Sequence, residues 1–581
     1  MSEDARFAPA DVAASAGSGD PAARADDLKG IGVVAGVAAR PAMWVRPRPA
    51  LPADGPEVPE ADREAQKERF DVAAATVAGR LDGRAQHAEG HAAEVLAATA
   101  ALVTDKGWRR AVGKHIDGGA SAELAAARAT DAFVAKFEKL GGVMAERTTD
   151  LKDIRDRVIA ELRDEPEPGV PSPAEPIVLL ADDLAPADTA GLDPELVQGI
   201  VTELGGKTSH TAIIARQFGI PCVVGAGSGL RGVQDGQLIL VDGESGVIEL
   251  EPEADSAAAR AAESAETLAR IRTWTGPAVS ADGTRIQLLA NVQDGAGART
   301  AVATGLPEGV GLFRTELSFL KAHSEPTVED QAALYREVFD AFEGSKVVVR
   351  TLDAGSDKPL AFATMPDEPN PSLGVRGVRI AFQDDGVLTR QLDAIARAAE
   401  GSGAEPWVMA PMIATVDEAR WFGDLCRERG LKPGVMIEVP SAALLGDQLL
   451  EHVDFFSIGT NDLTQYAMAA DRMASGLAQL TDPWQPAVLR LVQMAARAGQ
   501  RVGKPVGVCG EAAADPLLAC VLIGLGITSL SAAAPALAAV GVKLGEATDD
   551  QMKRAAEAAV RAGSPEAARD AATAVLAGAA A

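Results

Sequence analysis

The chain has 581 residues, with 55 Lys and Arg against 83 Asp and Glu, and therefore a formal net charge of −28. This acidic average argues against nucleic acid and anionic membranes as partners, because both bind through basic surfaces. The composition, 47% hydrophobic and 24% charged, is that of a globular protein. At roughly 150 residues per domain, the length predicts about four units, or fewer if one is a barrel.

The cysteines and the N-terminus indicate the compartment. Four cysteines are scattered along the chain without the CxxC spacing of a zinc site. Such thiols are typical of a reducing environment rather than of a disulfide framework. The N-terminus lacks an apolar segment behind a basic start, and we find no apolar run of about 20 residues that would insert into a membrane. We therefore expect a soluble, cytoplasmic protein.

The first third of the chain changes character twice. Residues 1–28 are small and acidic, which predicts a disordered tail. Residues 29–55 combine a β-branched, glycine-punctuated run with a proline-rich stretch, which predicts one or two strands and a connection. Residues 56–165 place apolar side chains at helical spacing in four stretches, including AAEVLAATAALV (92–103). Four helices with short turns predict an antiparallel bundle.

Residues 166–253 return to short strands. The segments read as a strand, a strand–loop–helix, another strand and a final hairpin around Asp242 and Gly243. This pattern predicts a compact β/α domain, which the first strand near Gly32 would join if the helical bundle is inserted into it. Residues 254–278 are alanine-rich and charged, which predicts a linker helix to the rest of the chain.

Residues 279–581 repeat one theme, a short apolar strand that ends in polar residues and is followed by a helix. Eight such strands are RIQLLANV (to Val292), GVGLFRTE (309–316), KVVVRTLD (346–353), WVMAPMI (407–413), GVMIEVP (434–440), FFSIGTND (455–462), PVGVCGE (505–511) and ITSLSA (527–532). Eight βα units in this length predict a TIM barrel, whose chemistry lies at the carboxyl ends of the strands. Those ends carry Asn291, Arg314, Arg350, Met412, Glu438, Asn461 with Asp462, Cys509 and Ser531.

The loop before the helix of the β/α domain reads GGKTSHTAIIAR, with His210 in it. Gly205 and Gly206 allow a tight turn, and Thr208 or Ser209 suits the N-cap of a helix that begins near His210. The positive end of the helix dipole favours a neutral imidazole and then stabilises a dianion attached to it, as a phosphohistidine requires. The alternative is an ordinary polar histidine on a surface loop.

Arginines mark the barrel mouth. Arg314 and Arg350 end successive strands, and Arg376 and Arg472 are further candidates. Guanidinium groups donate in pairs to phosphate and carboxylate, so several converging arginines predict a small, highly anionic substrate. A lone arginine at a strand end is more often an ion-pair partner. Two arginines at corresponding ends of neighbouring strands, however, favour a role in binding the anionic substrate.

Two carboxylates, Glu438 and Asp462, lie one strand apart at the same end of the barrel. With an anionic substrate they suit a hard dication such as Mg²⁺, which prefers oxygen ligands and keeps waters. Alternatively, they are ion-pair partners of the arginines. Spacing alone does not separate these interpretations.

Cys509 ends the seventh barrel strand. Most cysteines in apolar strands are small buried hydrophobic residues. Beside cations at a barrel mouth, however, we expect a thiol with a lowered pKa that transfers protons.

Several motifs together resemble the enzyme I family of the bacterial phosphoenolpyruvate-dependent sugar phosphotransferase system. They are GGKTSHTAIIAR, GVGLFRTE, VVVRTLDAGSDK, NPSLGVRGVRIA, VMIEVPSA, DFFSIGTNDLTQY and VCGE. The resemblance implies that His210 is phosphorylated and that Cys509 protonates enolpyruvate as pyruvate forms. It implies that phosphoenolpyruvate is bound by Arg314, Arg350, Arg376, Asn461, Asp462 and Arg472. It also implies that Mg²⁺ is held by Glu438 and Asp462.

The resemblance also implies partners and a fold. It implies that the inserted bundle docks HPr, the small carrier protein that accepts the phosphoryl group, and that the barrel forms a homodimer. The expected fold is an α/β multidomain chain: a swivelling phosphohistidine β/α domain with an inserted helical bundle, followed by a (β/α)8 TIM barrel. His210 would have to visit the barrel mouth and HPr in turn, and the helix near 254–275 would be the hinge.

Two other functions share parts of this pattern. Pyruvate phosphate dikinase and phosphoenolpyruvate synthase resemble the barrel and the TSH motif, but they need a nucleotide-binding domain of several hundred residues. The residues before the His210 domain read as a bundle without a glycine-rich nucleotide loop. A degenerate, regulatory enzyme I that only senses phosphoenolpyruvate is the second alternative, and the intact charged residues argue against it.

Overall fold

The structure is a computed structural model that describes residues 27–87, 97, 99–140, 148–171, 173–184, 192–206, 209–316, 319, 324–354, 360, 368–472 and 474–578. The chain divides into two compact units, Met1–Leu268 and Ala269–Ala581. The predicted tail lies outside the described residues up to residue 26. Among the described helices, none has the length and apolar character needed to span a bilayer.

The first unit is built on an eight-stranded sheet in the order β1-β8-β7-β3-β4-β5-β6-β2. Its strands are β1 (Leu28–Lys29), β2 (Ile31–Val34), β3 (Val37–Trp44), β4 (Ile177–Ala181), β5 (Val197–Thr202), β6 (Cys222–Val224), β7 (Leu238–Asp242) and β8 (Val247–Leu250). Strand β3 pairs in parallel with β4, with Ala42 opposite Val178. The N-terminal strands therefore complete a sheet whose other strands follow the helical region, so this region is an insertion.

The inserted region contains the helices α1 (Arg63–His87), α2 (Lys106–Asp117), α3 (Ala122–Leu140) and α4 (Thr148–Leu162). Helix α2 was not among the predicted helices, although Asp105 caps it by accepting from Trp108 N at 2.8 Å. Its buried Trp108, Val112 and Ile116 recur every four residues, which is the periodic signal for this helix. Half of the predicted helix at 92–103 lies outside the described residues, and its described residues, 97 and 99–103, are helical.

Two more helices belong to this part of the chain, α5 (His210–Phe218) and α6 (Ala254–Thr273). Helix α5 follows strand β5, and its last turn closes at Gly219, whose φ of 66° is the left-handed conformation of a helix C-cap. Helix α6 is the predicted linker helix. Its buried Ala257 packs against Ala39 and Leu240 of the sheet.

The second unit is a closed parallel barrel. Strand β10 pairs in parallel with both β11 and β17, so the eight strands β10 to β17 form a ring, and β9 pairs antiparallel with β10. The strands are β9 (Ala278–Val279), β10 (Arg285–Val292), β11 (Gly309–Arg314), β12 (Lys346–Arg350), β13 (Glu405–Ala410), β14 (Lys432–Ile437), β15 (Phe455–Ile458), β16 (Val506–Val508) and β17 (Ser529–Ala532). Each predicted barrel strand is present, and the predicted fold class is confirmed.

Helices surround this ring. They are α7 (Gly295–Ala303), α8 (Val328–Ala341), α9 (Asp385–Ala399), α10 (Val416–Arg427), α11 (Pro440–Leu444), α12 (Gly446–Leu449), α13 (Thr460–Met468), α14 (Pro486–Val502), α15 (Pro516–Gly524), α16 (Ala534–Glu546), α17 (Asp549–Arg561) and α18 (Pro565–Leu576). The main core fills the space between strands and helices. A second cluster, which contains Met409, Met436 and Cys509, fills the interior of the ring.

Candidate active site

Two arginines lie side by side at the barrel mouth. Arg314 ends β11 and Arg350 ends β12, and the two residues are register partners of the parallel strands. This placement was predicted from the strand ends. Arg314 is half-buried, and its guanidinium makes no ion pair or hydrogen bond with any described residue. Arg314 is therefore a cation at a strand end that has no ion-pair partner among the described residues.

Arg350 is buried, with 5% of its surface exposed, and carboxylates hold it. Its guanidinium donates to Glu316 Oε1 and lies 3.0 Å from Asp353 Oδ2. Burial alone would lower the pKa of Arg350, but the charges of Glu316 and Asp353 outweigh it and raise that pKa. Its buried Nε has no partner among the described residues. One donor of a fully charged group therefore remains unsatisfied.

Arg376 joins the two sides of the mouth. Its Nη2 donates to both Asp353 oxygens at 3.0 and 3.1 Å, and its Nη1 donates to Asp462 Oδ1 at 3.2 Å. Tyr466 Oη lies 3.4 Å from the same Nη1. Arg472 is exposed, and its Nη1 lies 4.0 Å from Asp462 Oδ2. Asp462 therefore connects a buried arginine to one at the solvent edge.

Glu438 follows β14 and is fully buried. Its Oε1 accepts from the backbone N–H of Met412 at 2.6 Å, and its Oε2 has no hydrogen-bond partner among the described residues. Burial, together with the neighbouring charges of Asp353 and Asp462, raises the pKa of Glu438 to about 8. An ionised carboxylate here needs a further cation. The donor set of Glu438 and Asp462 therefore fits a hard dication that completes its shell with substrate oxygens and water.

Within the described part of the chain, no group of three or more His, Cys, Asp or Glu side chains forms a complete metal site. Two carboxylates are the number that Mg²⁺ commonly takes from a protein when a substrate phosphate supplies the remaining ligands.

Asn461 and Asp462 lie in the first turn of α13. Asn461 Oδ1 accepts from the backbone N–H of Glu511 at 3.2 Å, which ties this helix to the loop after β16. The amide N of Asn461 is the remaining donor of that side chain.

Cys509 follows β16 and is 1% exposed. Its thiol donates to the carbonyl of Ile458 at 3.5 Å. Burial raises the pKa of Cys509, although a hydrogen bond from Ser457 and the charges of Arg350 and Arg314 oppose that shift. The expectation of a lowered pKa was therefore wrong, because burial outweighs the nearby cations. A raised pKa keeps the proton on sulfur at neutral pH, which suits an acid more than a nucleophile.

His210 is the first residue of α5. Ser209 caps this helix, since its Oγ accepts from Ala212 N at 3.3 Å. The preceding loop is fixed to the sheet through Leu204, whose N–H donates to the carbonyl of Asp182 at 2.9 Å. Gly205 has a φ of 103°, which an L side chain rarely adopts. The predicted position of His210 at a helix N-terminus is present, while its side chain, Lys207 and Thr208 lie outside the described residues.

The chain is similar to known proteins along most of its length. Three family models cover it: the N-terminal domain of PEP-utilising enzymes at residues 29–147, their mobile domain at 173–246 and their PEP-binding domain at 269–548. A phosphoenolpyruvate-protein phosphotransferase of Streptomyces coelicolor is 48% identical over 95% of this chain and 99% of the relative. The chain belongs to the phosphoenolpyruvate-protein phosphotransferase family. Relatives of the same name from Haloferax volcanii and Bacillus subtilis are 39% and 35% identical, over 92% and 88% of this chain and 97% and 93% of their own lengths.

Membership of the phosphoenolpyruvate-protein phosphotransferase family confirms the predicted enzyme I resemblance and the activity class, phosphoenolpyruvate-dependent phosphotransfer. The match to the mobile domain contains His210, and the match to the PEP-binding domain contains the arginines and carboxylates of the barrel mouth. The dikinase alternative needs a further nucleotide-binding domain, whereas the Streptomyces coelicolor relative is covered almost completely by this chain.

The countercharges of these arginines were not predicted from the sequence. Glu316 and Asp353 follow Arg314 and Arg350 by two and three residues in the quoted motifs, but no role was expected for them. The signal was present, since an acid close behind a strand-end arginine stays at the same mouth. Tyr466 was also missed, and nothing in its sequence context separates it from an ordinary helix residue.

Proposed function

We propose that this chain transfers the phosphoryl group of phosphoenolpyruvate to His210 and then to a histidine of the carrier HPr, releasing pyruvate. This would be the first step of phosphotransferase sugar uptake. The observation that carries the proposal is the in-register pair Arg314 and Arg350, placed beside buried carboxylates at one barrel mouth. Such a site binds a small, multiply charged anion and aligns it for transfer.

The arginines would hold the substrate. Arg314 has no partner among the described residues, and Arg350 has an unsatisfied Nε, so both have donors for phosphate or carboxylate oxygens. Arg376 is fixed by two carboxylates, which makes it a rigid donor rather than a mobile one. Arg472 stands at the solvent edge, and the Asn461 amide completes the set of proposed substrate contacts.

Glu438 and Asp462 would hold Mg²⁺. The unpartnered Oε2 of Glu438 and its raised pKa are consistent with a carboxylate that lacks its cation. The bound ion would neutralise phosphoryl charge during transfer, in the way general for phosphoryl-transfer enzymes. Asp462 would at the same time keep its contact with Arg376, so the metal and a substrate-binding arginine would share one carboxylate.

Cys509 would complete the first half-reaction. When the phosphoryl group leaves, the enolate of pyruvate remains in the mouth. The S–H bond of Cys509 breaks, its proton bonds to the methylene carbon, and the enolate oxygen becomes a carbonyl, which leaves a thiolate. The raised pKa of Cys509 keeps the proton available, and its 1% exposure excludes bulk water from the step.

The second half-reaction would use the first unit. The capped N-terminus of α5 places backbone N–H groups and the positive end of a dipole at His210, which stabilise a phosphoryl dianion. HPr would dock on the inserted helices, where Val72 of α1 is 62% exposed. Because one imidazole serves both partners, the domain that carries His210 must move between them.

The barrel unit would form a homodimer. It exposes large apolar side chains that a monomer does not need, among them Leu373, Phe382 and Leu444 at 68%, 58% and 59%. Light scattering of the full chain should give the mass of a dimer, and a monomer at micromolar concentration would contradict this part of the proposal. The four buried free cysteines suit a reducing, cytoplasmic setting.

Radiolabelled phosphoenolpyruvate tests the transfer. With Mg²⁺, the wild-type chain should acquire acid-labile label that passes to added HPr, and His210→Ala should acquire none. Label that persists on His210→Ala would overturn the assignment. Label that stays on the wild-type chain after HPr is added would overturn the carrier step alone.

A further inference from the structure

The first and last strands of the barrel meet close to Cys509. Strand β10 pairs with β17, and β17 pairs with β16, whose last residue precedes Cys509. The register between β16 and β17 ends where Val508 lies opposite Leu530. The carbonyl of Cys509 is the next one along the chain, so it lies just beyond this register.

A side-chain amide binds that carbonyl. Asn291, at the carboxyl end of β10, donates from its Nδ2 to the carbonyl oxygen of Cys509 at 3.1 Å. The same Nδ2 donates to the carbonyl oxygen of Ser531 in β17 at 3.3 Å. An amide carries two N–H bonds, and here one serves each carbonyl. Asn291 therefore connects three strands at the point where the ladder between β16 and β17 ends.

Asn291 is itself held in place by Ser531. The Ser531 Oγ donates to Asn291 Oδ1 at 2.5 Å, and Ser531 is 3% exposed. Gly311 of β11 leaves the space for this hydroxyl, since a Cβ at that position would clash with it. With both N–H bonds and its oxygen engaged, the Asn291 amide has no donor left for a substrate. Any effect of Asn291 on the reaction must therefore pass through the groups that it binds.

The other side of Cys509 is fixed by β15. Its backbone N–H donates to the carbonyl of Ile458 at 3.0 Å, and its thiol donates to the same oxygen at 3.5 Å. The next residue, Gly510, packs so closely on Thr460 that a Cβ there would clash with it. The N–H of Cys509 is thus held by β15 and its carbonyl by Asn291. Loss of the second contact would free the backbone on one side of the thiol.

We propose that Asn291, held by Ser531, is a positioning residue that keeps the Cys509 thiol aligned with the methylene carbon of the enolate. The inference rests on the proposed role of Cys509 as the acid. Asn291 gives up no proton: the S–H bond of Cys509 breaks, the C–H bond forms, and the enolate oxygen becomes a carbonyl. A displacement of the acid by about 1 Å is enough to slow such a step about a hundredfold. Phosphoryl transfer to His210 does not use this amide.

The handedness of the product methyl group reports whether a fixed acid delivers the proton. Phosphoenolpyruvate with deuterium at one defined methylene position, converted in tritiated water by an excess of the full chain with Mg²⁺, gives a methyl group that carries all three hydrogen isotopes. Lactate dehydrogenase and NADH trap the pyruvate as lactate without touching this methyl group. A fixed thiol protonates one face of the enolate and gives one handedness. Enolpyruvate that leaves the site takes up its proton in water on both faces.

Asn291→Asp is the principal variant. It keeps the size of the side chain but replaces the donating nitrogen with an oxygen that faces two carbonyls. We expect proton delivery to slow about a hundredfold, so that the product is of mixed handedness. Transfer of ³²P to His210 and the affinity for phosphoenolpyruvate should stay at the wild-type level. Ser531→Ala, which leaves the amide in place without its hydroxyl partner, should give a smaller loss of handedness.

Gln287→Glu is the matched control. Gln287 is also a half-buried amide of β10, and its Oε1 accepts from Lys346 Nζ at 2.9 Å, which a carboxylate can do equally well. This variant should keep the single handedness of the wild type. Cys509→Ala should lose it completely, because the acid itself is absent.

The outcomes distinguish the positioning role from the proposed function. A single handedness retained in both Asn291→Asp and Ser531→Ala, together with its loss in Cys509→Ala, overturns the role of Asn291 alone. An equal loss of ³²P transfer and handedness per folded Asn291→Asp chain means that the amide only supports the fold of the site, which also overturns that role. Mixed handedness in the wild type, or a single handedness in Cys509→Ala, overturns the proposed chemistry of Cys509 and the inference with it.

Discussion

Among the described residues, one buried cluster of ion pairs lies among the inserted helices and another lies at the barrel mouth, and the two differ in how completely they are paired. In the inserted region, Arg157 is 6% exposed, donates to Asp153 at 2.7 Å and also pairs with Glu167. None of the buried polar atoms without partners, among the described residues, belongs to these side chains. At the mouth, three such atoms occur together: Glu316 Oε2, Arg350 Nε and Glu438 Oε2.

This difference distinguishes a structural cluster of ion pairs from a ligand-binding site. Unsatisfied buried polar groups cost free energy, and several of them grouped at one mouth are typical of a site that a bound ligand or ion completes. Burial, together with the charges of Asp353 and Asp462, raises the pKa of Glu438 to about 8, so an added cation would stabilise its ionised form. We therefore expect changes in the helical cluster to alter stability, and changes at the mouth to alter binding and turnover.

The largest effect is expected for Arg350→Lys. A lysine is a point charge that cannot contact Glu316, Asp353 and a substrate oxygen with one planar fork. Pyruvate formation from phosphoenolpyruvate should fall in kcat/KM by about 10³-fold or more, the scale for an arginine that stabilises phosphoryl transfer. The control is Arg554→Lys, an exposed arginine paired with Asp550, which should keep wild-type rates. A loss below about tenfold in Arg350→Lys would remove this arginine from the site.

Arg157→Met should show the opposite behaviour. Removal of one member of a buried pair leaves Asp153 and Glu167 without their cation, so the free energy of unfolding should fall by about 3 kcal/mol in denaturant titrations. The first half-reaction, measured per folded chain, should not change. If the turnover of Arg157→Met fell as far as that of Arg350→Lys, the distinction between the two clusters would be wrong.

Glu438→Gln should remove the response to metal. In the metal-free wild type the raised pKa of Glu438 means that the folded state binds more protons than the unfolded state between pH 4.5 and about 8. Stability should therefore fall as the pH rises through that window, and the variant should lack this slope. At about a hundredfold excess over its Kd, Mg²⁺ should stabilise the wild type by about 2.7 kcal/mol. Equal stabilisation of the variant would exclude Glu438 as a ligand.

The smallest effect concerns Lys346 at the far end of the barrel. Its pKa of about 8 lies below the ordinary 10.5, so the folded state binds fewer protons than the unfolded state between these values. Stability should therefore rise with pH from about 8 to 10.5, and Lys346→Met should flatten this rise and be about 1 kcal/mol more stable at pH 7. Chemical denaturation across this pH range measures both, and a variant with the wild-type slope would show that another group titrates.

The predictions from the sequence agree with the structure where a local sequence pattern determines the secondary structure. The barrel strands follow from apolar runs that end in polar residues, and the neighbourhood of Arg314 and Arg350 follows from parallel pairing. The partners of Arg376 do not follow, because Asp353 and Asp462 lie 23 and 86 residues away and meet it only in the closed ring.

The direction of the Cys509 pKa shift could not be predicted from the sequence either. Sequence places this residue near cations, but the degree of burial decides which effect wins. Helix α2 was missed for a different reason, since its spacing of Trp108, Val112 and Ile116 was readable but its charged residues obscured it.

Phosphoryl transfer to His210 is tested most directly by the pyruvate released when the full chain is mixed with phosphoenolpyruvate and Mg²⁺ without HPr. We expect a rapid burst equal in moles to the chain, because each His210 accepts one phosphoryl group and then stops. His210→Ala should give no burst while it still binds phosphoenolpyruvate. A full burst from His210→Ala would contradict transfer to this histidine.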